Sequence, residues 1–320
     1  MPTFYIKHNT LYSYSDSVID AANQIKLYPI NDHYQKVVSL KITVNTNPFI
    51  DTYLDFYNNV VGTFMITEPH NVLSIELEAE VITYPRIFPE DTVDASAQWD
   101  ELKTLQGNPQ YIDFLKYKPF SGTADVLEWI QSKDLKVLTP YKVVLELCQY
   151  IYTNFNYIKG ITHVHSTLDD IWGLKGGVCQ DFTNIMLQIT RMLGIPARYV
   201  SGYICPNNEF TRGEGATHAW IEAYLPNYGW LGIDPTNNAI ANENHVALAV
   251  GRNYNDCSPV KGVYKGNVKD VLTVNVTVST SKNSILNPVT LSNTLEIPEE
   301  INSYRQNLEI IQQHQQQQQQ

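Results

Sequence analysis

The segment around Cys179 constrains the fold more than any other part of this 320-residue chain. Its apolar residues recur at helical spacing, and they are Phe182, Ile185, Met186, Ile189, Met192 and Leu193. Gly194 and Pro196 then end the pattern, while Gly176 and Gly177 allow a sharp turn before it. The sequence therefore predicts an amphipathic helix over residues 179–193 with Cys179 in its first turn.

The residues after this helix have the character of strands. Alternating or β-branched runs cover Ala197–Ile204, Thr217–Leu225, Trp230–Asp234 and Val271–Val278. The sequence Pro226-Asn227-Tyr228-Gly229 is typical of a turn between two of these runs. Helical spacing also begins at about Tyr141, and we expect a further amphipathic helix there.

The first 85 residues are typical of strands and turns. Between Val72 and Ile82 apolar residues alternate with Ser and Glu, which indicates a strand with one buried face. Val37–Val44 is a second candidate, and Leu11–Tyr14 and Tyr53–Tyr57 are shorter ones. Several short strands at this spacing predict a β-sandwich-like domain.

The domain organisation follows from these patterns. We expect a β-rich N-terminal domain over residues 1–85 and a catalytic domain over 126–280. Residues 86–125 contain Pro89, Pro109 and Pro119 and are expected to be a connector with one short helix. The polar, Gln-rich residues 281–320 are expected to be disordered.

Charge and cysteine content limit the partners and the compartment. With 22 Lys+Arg against 33 Asp+Glu the net charge is −11, which argues against nucleic acid or an anionic membrane as the main partner. The sequence has no uninterrupted apolar run of about 18 residues and no secretory signal pattern at its start. Its four cysteines are scattered and form no C-x-x-C pair. We therefore expect a reduced, cytoplasmic protein.

Three polar residues point to nucleophilic chemistry. A thiol in the first turn of a helix, such as that of Cys179, faces free backbone N–H groups that stabilise a thiolate. His218 lies on the polar and aromatic face of its predicted strand, where an imidazole can act as a base. Cys179 alone is equally consistent with a buried structural thiol. His218 alone would favour a structural role as a hydrogen-bonded strand histidine.

Asp234 ends the strand that follows the His218 strand, so its carboxylate could orient the imidazole. The turn between these strands is centred too late in the sequence for His218 and Asp234 to lie directly opposite each other. Either a bulge or a diagonal pairing of the two residues is required. The alternative role for Asp234-Pro235 is a simple turn.

These residues stand in motifs that resemble the bacterial transglutaminase-like superfamily, whose members are described as cysteine proteases. The motifs are Gly177-Val178-Cys179-Gln180-Asp181-Phe182, Gly194-Ile195-Pro196-Ala197-Arg198, Ser201-Gly202-Tyr203, Thr217-His218-Ala219-Trp220 and Asp234-Pro235-Thr236. The N-terminal stretch also resembles that family's β-rich N-terminal region, through Thr10-Leu11-Tyr12-Ser13-Tyr14 and Asp55-Phe56-Tyr57-Asn58-Asn59-Val60. Asn58 stands where the family pattern has Gly. The resemblance covers residues 1–280.

The resemblance implies an α+β fold in which a Cys-bearing helix packs on an antiparallel sheet, as in papain and transglutaminases, after a β-sandwich-like domain. It implies a triad of Cys179 as nucleophile, His218 as general base and then acid, and Asp234 as orienting residue, without cofactor or metal. Such an enzyme hydrolyses an amide or peptide bond through a thioester, or transfers the acyl group to an amine. A peptide or protein substrate is therefore expected.

Other interpretations remain open at this stage. The His163-x-His165 pair is spaced for metal binding on a strand, but no further ligand accompanies it, and a surface strand is favoured. Lys175-Gly176-Gly177 lacks the rest of a phosphate-binding loop. A binding or scaffold protein that keeps the fold without activity is the rival from a different class.

Overall fold

The structure is a computed structural model that describes residues 1–163, 166–205, 212, 217–282 and 293–296. Contacts within the chain define two compact units. The mixed unit comprises Met1–Pro2, Pro29–Lys36 and Thr83–Cys257. The β unit comprises Thr3–Tyr28, Val37–Ile82 and the described residues from Ser258 onward.

The elements follow one another along the chain with strands in both units and helices in the mixed unit. The strands of the described residues are β1 (Thr3–Ile25), β2 (Gln35–Val44), β3 (Asp51–Leu54), β4 (Val60–Ile66), β5 (His70–Thr83), β6 (Asn156–Tyr157), β7 (Gly176–Gly177), β8 (Ala197–Ile204), β9 (His218–Leu225), β10 (Gly229–Asp234), β11 (Ala239–Ile240), β12 (His245–Gly251), β13 (Val260–Lys265), β14 (Asp270–Ser279) and β15 (Asn293–Glu296). The helices are α1 (Ala95–Thr104), α2 (Ile112–Leu115), α3 (Thr123–Gln131), α4 (Pro140–Asn154), α5 (Leu168–Leu174), α6 (Cys179–Met192) and α7 (Tyr254–Cys257). No helix in the described part of the chain has both the length and the apolar character needed to cross a bilayer.

The β unit is organised around the long strand β1. Its first half pairs antiparallel with β5 and β14, and its second half pairs antiparallel with β4 and β13. The alternation predicted for residues 72–82 is confirmed, because Glu78 is exposed and the alternate apolar residues are buried, namely Leu73, Ile75, Leu77, Ala79 and Val81. The turn before β4 places Asn58 at a φ of 64°, a left-handed conformation that Asn tolerates better than most residues other than Gly.

The units differ from the segments expected from the sequence. β13 and β14 both pair with β1, so residues 258–279 group with the β unit, whereas the sequence placed them in the segment 126–280. Residues 86–125 belong to the mixed unit and contain more helix than the single short one expected. Helix α1 forms because the Asp94 side chain accepts from the backbone N–H groups of Ser96 and Ala97. The three prolines of this segment lie outside its helices.

The mixed unit contains an antiparallel sheet with the strand order β11-β10-β9-β8-β12. The predicted helix is confirmed as α6, and its apolar residues share one core with the inward face of β9. The α+β class predicted from the sequence, with the Cys-bearing helix on an antiparallel sheet, is therefore confirmed. The residues of that core from α6 and β9 are Phe182, Ile185, Met186, Leu187, Ile189, Ala219, Ile221, Ala223 and Leu225.

Candidate active site

One end of the antiparallel sheet brings three buried polar residues together. His218 is the first residue of β9, Asp234 is the last of β10, and His245 is the first of β12. Because neighbouring strands run in opposite directions, the start of β9 and the end of β10 lie at the same end of the sheet. Helix α6 begins at this end, since the Cys179 thiol approaches the carbonyl group of Thr217 just before β9.

The N-terminus of α6 is fixed by a carboxylate in its first turn. Asp181 Oδ2 accepts a hydrogen bond from the Val178 backbone N–H at 2.8 Å and another from the Thr162 hydroxyl at 2.6 Å. Gly177 has a φ of 154°, and a Cβ atom there would collide with the Asp181 carboxylate. A glycine is therefore required two residues before Cys179, because a larger residue at position 177 would collide with Asp181 where the chain enters α6.

Cys179 is a free, half-buried thiol at the first position of α6. Its Sγ lies 3.8 Å from the Thr217 carbonyl oxygen, and the S–H group donates towards that oxygen. The other three cysteines, Cys148, Cys205 and Cys257, are buried. Cys179 thus combines accessibility with a helix N-terminus, where backbone N–H groups favour an anion.

The structure brings His218 and Asp234 together through a diagonal pairing. Gly229 lies opposite Leu225 and Ile233 opposite Ile221, so Asp234 falls opposite Trp220, two residues from His218. A two-residue offset keeps both side chains on the same face of the sheet. The diagonal alternative of the sequence analysis is therefore the one observed, and His218 Nε2 lies 2.8 Å from Asp234 Oδ2.

The environment of His218 favours its charged form. Burial opposes protonation, but the Asp234 carboxylate and the Cys179 thiol outweigh burial and raise the pKa of His218 to about 10. Because Nε2 is engaged with Asp234, Nδ1 is the ring nitrogen left for the thiol. Nδ1 is buried, and no group of the described residues other than the Cys179 thiol is available to it as a hydrogen-bond partner.

The Asp234 carboxylate is fully buried and surrounded by donors. Oδ1 accepts from the backbone N–H groups of Thr236 and Asn237, and Oδ2 accepts from the Asn237 side chain at 2.8 Å. Burial disfavours the charged carboxylate, yet His218 and His245 hold the pKa of Asp234 far below its usual range. Asp234 is therefore a fixed negative charge beside His218.

The sequence analysis did not identify His245 as part of this site. The side chain is buried, and its Nε2 lies 3.4 Å from Asp234 Oδ2. The signal for it was weak: a histidine directly before the apolar run Val246–Val250, which the structure shows to be the interior of β12. Burial lowers the pKa of His245, although Asp234 opposes this effect.

Trp220 packs against both imidazoles. Its ring lies 5.2 Å from the His245 ring in an edge-on arrangement and 6.1 Å from the His218 ring. Gly202 makes room for the indole, because a Cβ there would collide with its six-membered ring. The indole is fully buried, so its contacts with the two imidazoles are packing contacts in the interior.

The potential ligand atoms of His218, Asp234 and His245 all lie within 4.8 Å of one another, which raises the question of a metal. Both Nε2 atoms face the same carboxylate oxygen at hydrogen-bond distances of 2.8 and 3.4 Å. A zinc ligand must offer a lone pair at about 2.0–2.2 Å from the ion, which an Nε2 carrying a proton cannot do. The geometry therefore fits a hydrogen-bonded network better than a metal centre.

The remaining sequence candidates are the His163-x-His165 pair and the glycine pair before α6. His163 is exposed and its backbone N–H donates to Ser166, while His165 lies outside the described residues. Gly176 and Gly177 form β7, which pairs in parallel with β6. This pairing differs from a phosphate-binding loop, in which successive backbone N–H groups converge on an anion.

Two family models match this sequence. The model of the transglutaminase-like superfamily matches residues 128–235, and the model of the bacterial transglutaminase-like N-terminal region matches residues 4–82. An uncharacterized protein of Mycobacterium leprae is 30% identical over 267 residues, which cover 82% of this chain and 92% of that protein. The chain belongs to the transglutaminase-like superfamily.

A solved structure and a further relative extend this result. A protein of Cytophaga hutchinsonii described as a "Putative Cysteine Protease" matches 92% of this chain and 96% of its own, with a TM-score of 0.69 and 20% identity, which establishes a shared fold. A Pseudomonas aeruginosa protein named protein-glutamine gamma-glutamyltransferase is 27% identical over 165 residues, 49% of this chain and 22% of that protein.

Proposed function

We propose that the chain is a thiol-dependent hydrolase of amide or peptide bonds, with Cys179 as nucleophile, His218 as general base and acid, and Asp234 as the residue that orients His218. The observation that carries the proposal is the buried His218–Asp234 pair, joined at 2.8 Å, beside a half-buried thiol at a helix N-terminus. A raised His218 pKa supports an imidazolium that stabilises the Cys179 thiolate.

In the first half of the reaction, the Cys179 thiolate attacks the carbonyl carbon of the scissile bond and forms a tetrahedral intermediate. The backbone N–H of Cys179 is at the start of α6 and can donate to the oxyanion. The C–N bond then breaks while the His218 imidazolium passes its proton to the departing amine. The product of this half is a thioester on Cys179 and a neutral imidazole.

In the second half, water attacks the thioester carbonyl and His218 takes a proton from it. The C–S bond breaks, the acid leaves, and the thiolate–imidazolium pair is restored. Asp234 keeps its charge throughout, since its carboxylate has donors on both oxygens. Its proposed role is to hold the imidazole with Nε2 towards the carboxylate and Nδ1 towards the sulfur.

Acyl transfer to an amine is the second candidate, and the Pseudomonas aeruginosa relative is the observation that favours it. The thioester is common to both reactions, so the two differ only in whether water or an amine attacks it. We favour hydrolysis because the sequence contains no acidic cluster beside Cys179 that would recruit an amine donor.

A peptide hydrolysis assay tests the proposal. The wild-type protein and the Cys179→Ala variant are each incubated with peptides, with and without an added primary amine. The proposal expects free acid from the wild-type protein and none from the variant. An amide product with the added amine, formed faster than the acid, would replace the hydrolase by a transferase. Equal turnover by wild type and Cys179→Ala would contradict both.

A further inference from the structure

His245 is the residue at the candidate site for which the sequence analysis assigned no role. It faces Asp234 from the start of β12, while His218 faces the same carboxylate oxygen from the start of β9. Both imidazoles are almost completely buried. The charged or titratable groups that influence His245 are Asp234, His218 and Arg86.

Hydrogen bonds at the other ring nitrogen fix the tautomer of His245. The Asn242 backbone N–H lies 3.2 Å from Nδ1 and requires a lone pair there. The Asn242 side-chain oxygen lies 3.3 Å from the same nitrogen but already accepts from the backbone and side-chain N–H groups of Asn244. Nδ1 is therefore the acceptor and Nε2 carries the proton, which points at Asp234 Oδ2.

Asp234 Oδ2 thus receives three donors, from His218, Asn237 and His245, at 2.8, 2.8 and 3.4 Å. A carboxylate oxygen offers about two lone pairs, so the donors share its charge. His245 supplies the longest of these bonds and reaches the carboxylate from a different strand than His218. Its donation limits how strongly Oδ2 binds His218 and restrains the carboxylate from rotating.

The position of His245 is itself held from several sides. The edge-on Trp220 ring packs against the imidazole at 5.2 Å. Two residues along β12, Ala247 exchanges hydrogen bonds with the Gln35 side chain, at 2.8 Å from its N–H and 2.9 Å to its carbonyl. The Thr83 hydroxyl donates to the Glu243 carbonyl in the turn before β12. These contacts fix the backbone that carries the imidazole.

We propose that His245 is a positioning residue for Asp234: a neutral imidazole that donates from Nε2 to Oδ2 and holds the carboxylate in register with His218. This inference rests on the proposed Cys179–His218–Asp234 triad. It adds a fourth residue that never contacts the substrate and acts only through Asp234.

The comparison of His245→Leu with His245→Gln tests this role, because Gln retains a donor near the position of Nε2 and Leu does not. For His245→Leu we expect kcat to fall about ten-fold with KM unchanged. The low-field proton resonance of His218 Nε2–H should move further downfield, since Oδ2 has lost one competing donor. His245→Gln should restore both values to near wild type. His8→Leu, which removes another buried histidine, should change neither.

The proposal is overturned if His245→Leu leaves kcat and the His218 resonance unchanged, or if Gln fails to restore them. If His245→Leu does not fold, nitrogen-15 spectra of the wild-type protein decide, because they distinguish a proton on Nε2, as expected, from one on Nδ1, which contradicts the proposal. Neither spectrum requires turnover. Absence of hydrolysis with the expected tautomer would therefore refute the proposed function and leave the Asp234 contact of His245 intact.

Discussion

Two buried histidines of this protein have pKa values that are shifted in opposite directions. His8, on β1 of the β unit, lies beside the Thr10 hydroxyl at 3.0 Å, and burial lowers its pKa to about 4. His218, in the mixed unit, is buried to the same extent, but Asp234 and Cys179 overcome the effect of burial and raise its pKa to about 10. Burial is common to both residues, so the carboxylate beside His218 is what distinguishes them.

The difference between the two histidines shows what keeps a buried imidazole charged. A buried imidazole whose pKa is dominated by burial is neutral, whereas one paired with a fixed carboxylate becomes a stable cation that can support a thiolate. In the mixed unit the antiparallel sheet supplies that carboxylate, because the end of β10 and the start of β9 meet at one end of the sheet.

Replacing each histidine by glutamine should separate the two roles most clearly. We expect His218→Gln to lower kcat on the order of 10⁴-fold or more, because the base and acid of the proposed reaction is lost. His8→Gln should leave kcat within about two-fold, since His8 has no role in the proposed reaction. Steady-state kinetics on one peptide substrate measure both. Comparable losses in the two variants would remove the distinction.

Asp234→Asn should convert His218 into a histidine of the His8 kind. Without the negative charge, burial dominates and the pKa of His218 should fall below 6.5. We expect kcat to drop by about 10³–10⁴-fold, and the His218 ring should titrate in the acidic range by NMR. If the His218 ring stays protonated at neutral pH in this variant, Asp234 is not the cause of its raised pKa.

The two histidines should also give opposite dependences of stability on pH. His8 has a lowered folded-state pKa, so its contribution is present above 6.5 and is lost as the pH falls towards 4, by about 3 kcal/mol. Urea unfolding across this range should show a smaller loss for His8→Gln than for the wild-type protein. The pKa of His245 is also lowered in the folded protein, so His245 also contributes to the loss of stability on acidification. This contribution is the same in both proteins and cancels when their unfolding free energies are subtracted.

At alkaline pH the sign reverses. The folded-state pKa of His218 is raised, so its contribution is fully present below 6.5 and is lost as the pH rises through about 10. The wild-type protein should therefore lose stability at alkaline pH, and His218→Gln should lose less. If the unfolding free energy falls with pH equally in both proteins at alkaline pH, the pKa of His218 is not raised in the folded state.

Gly177→Ala should lower activity less than the substitutions at His218 and Asp234. The new Cβ collides with the Asp181 carboxylate at a φ of 154°, which strains the entry to α6 by about 1–3 kcal/mol. Displacement of Cys179 should lower kcat about ten-fold. Gly173→Ala is the matched control, because a Cβ there meets nothing within 4 Å, and it should be neutral. Equal activity of both variants would show that Gly177 does not position the nucleophile.

Much of the fold could be predicted from local patterns. Helix α6, β5, β8 and β10 were identified because each has a strong periodicity and clear end signals at glycine, proline or turn residues. The helices of residues 86–125 were underestimated, since α1 depends on an Asp94 cap and on tertiary contacts. The Trp99 indole, for example, donates to the Leu138 carbonyl at 2.8 Å. Such contacts leave no periodic signal.

Only part of the candidate site could be predicted, because only some of its residues stand in sequence motifs. Cys179, His218 and Asp234 stand in recognisable motifs, and the structure places His218 and Asp234 at 2.8 Å. His245 stands in no such pattern, because its role depends on the sheet bringing β12 to the end of β10. The assignment of β13 and β14 to the β unit likewise depends on pairing with β1, more than 230 residues earlier.

The central claim is that His218, held by Asp234, activates the Cys179 thiol. Its most direct test is the rate at which iodoacetamide modifies each cysteine of the native protein at about pH 6, where ordinary thiols are largely protonated. We expect Cys179 to react fastest of the four cysteines, and we expect His218→Gln and Asp234→Asn each to slow its modification sharply. A Cys179 rate that is unchanged by these substitutions would show that His218 and Asp234 do not activate the thiol.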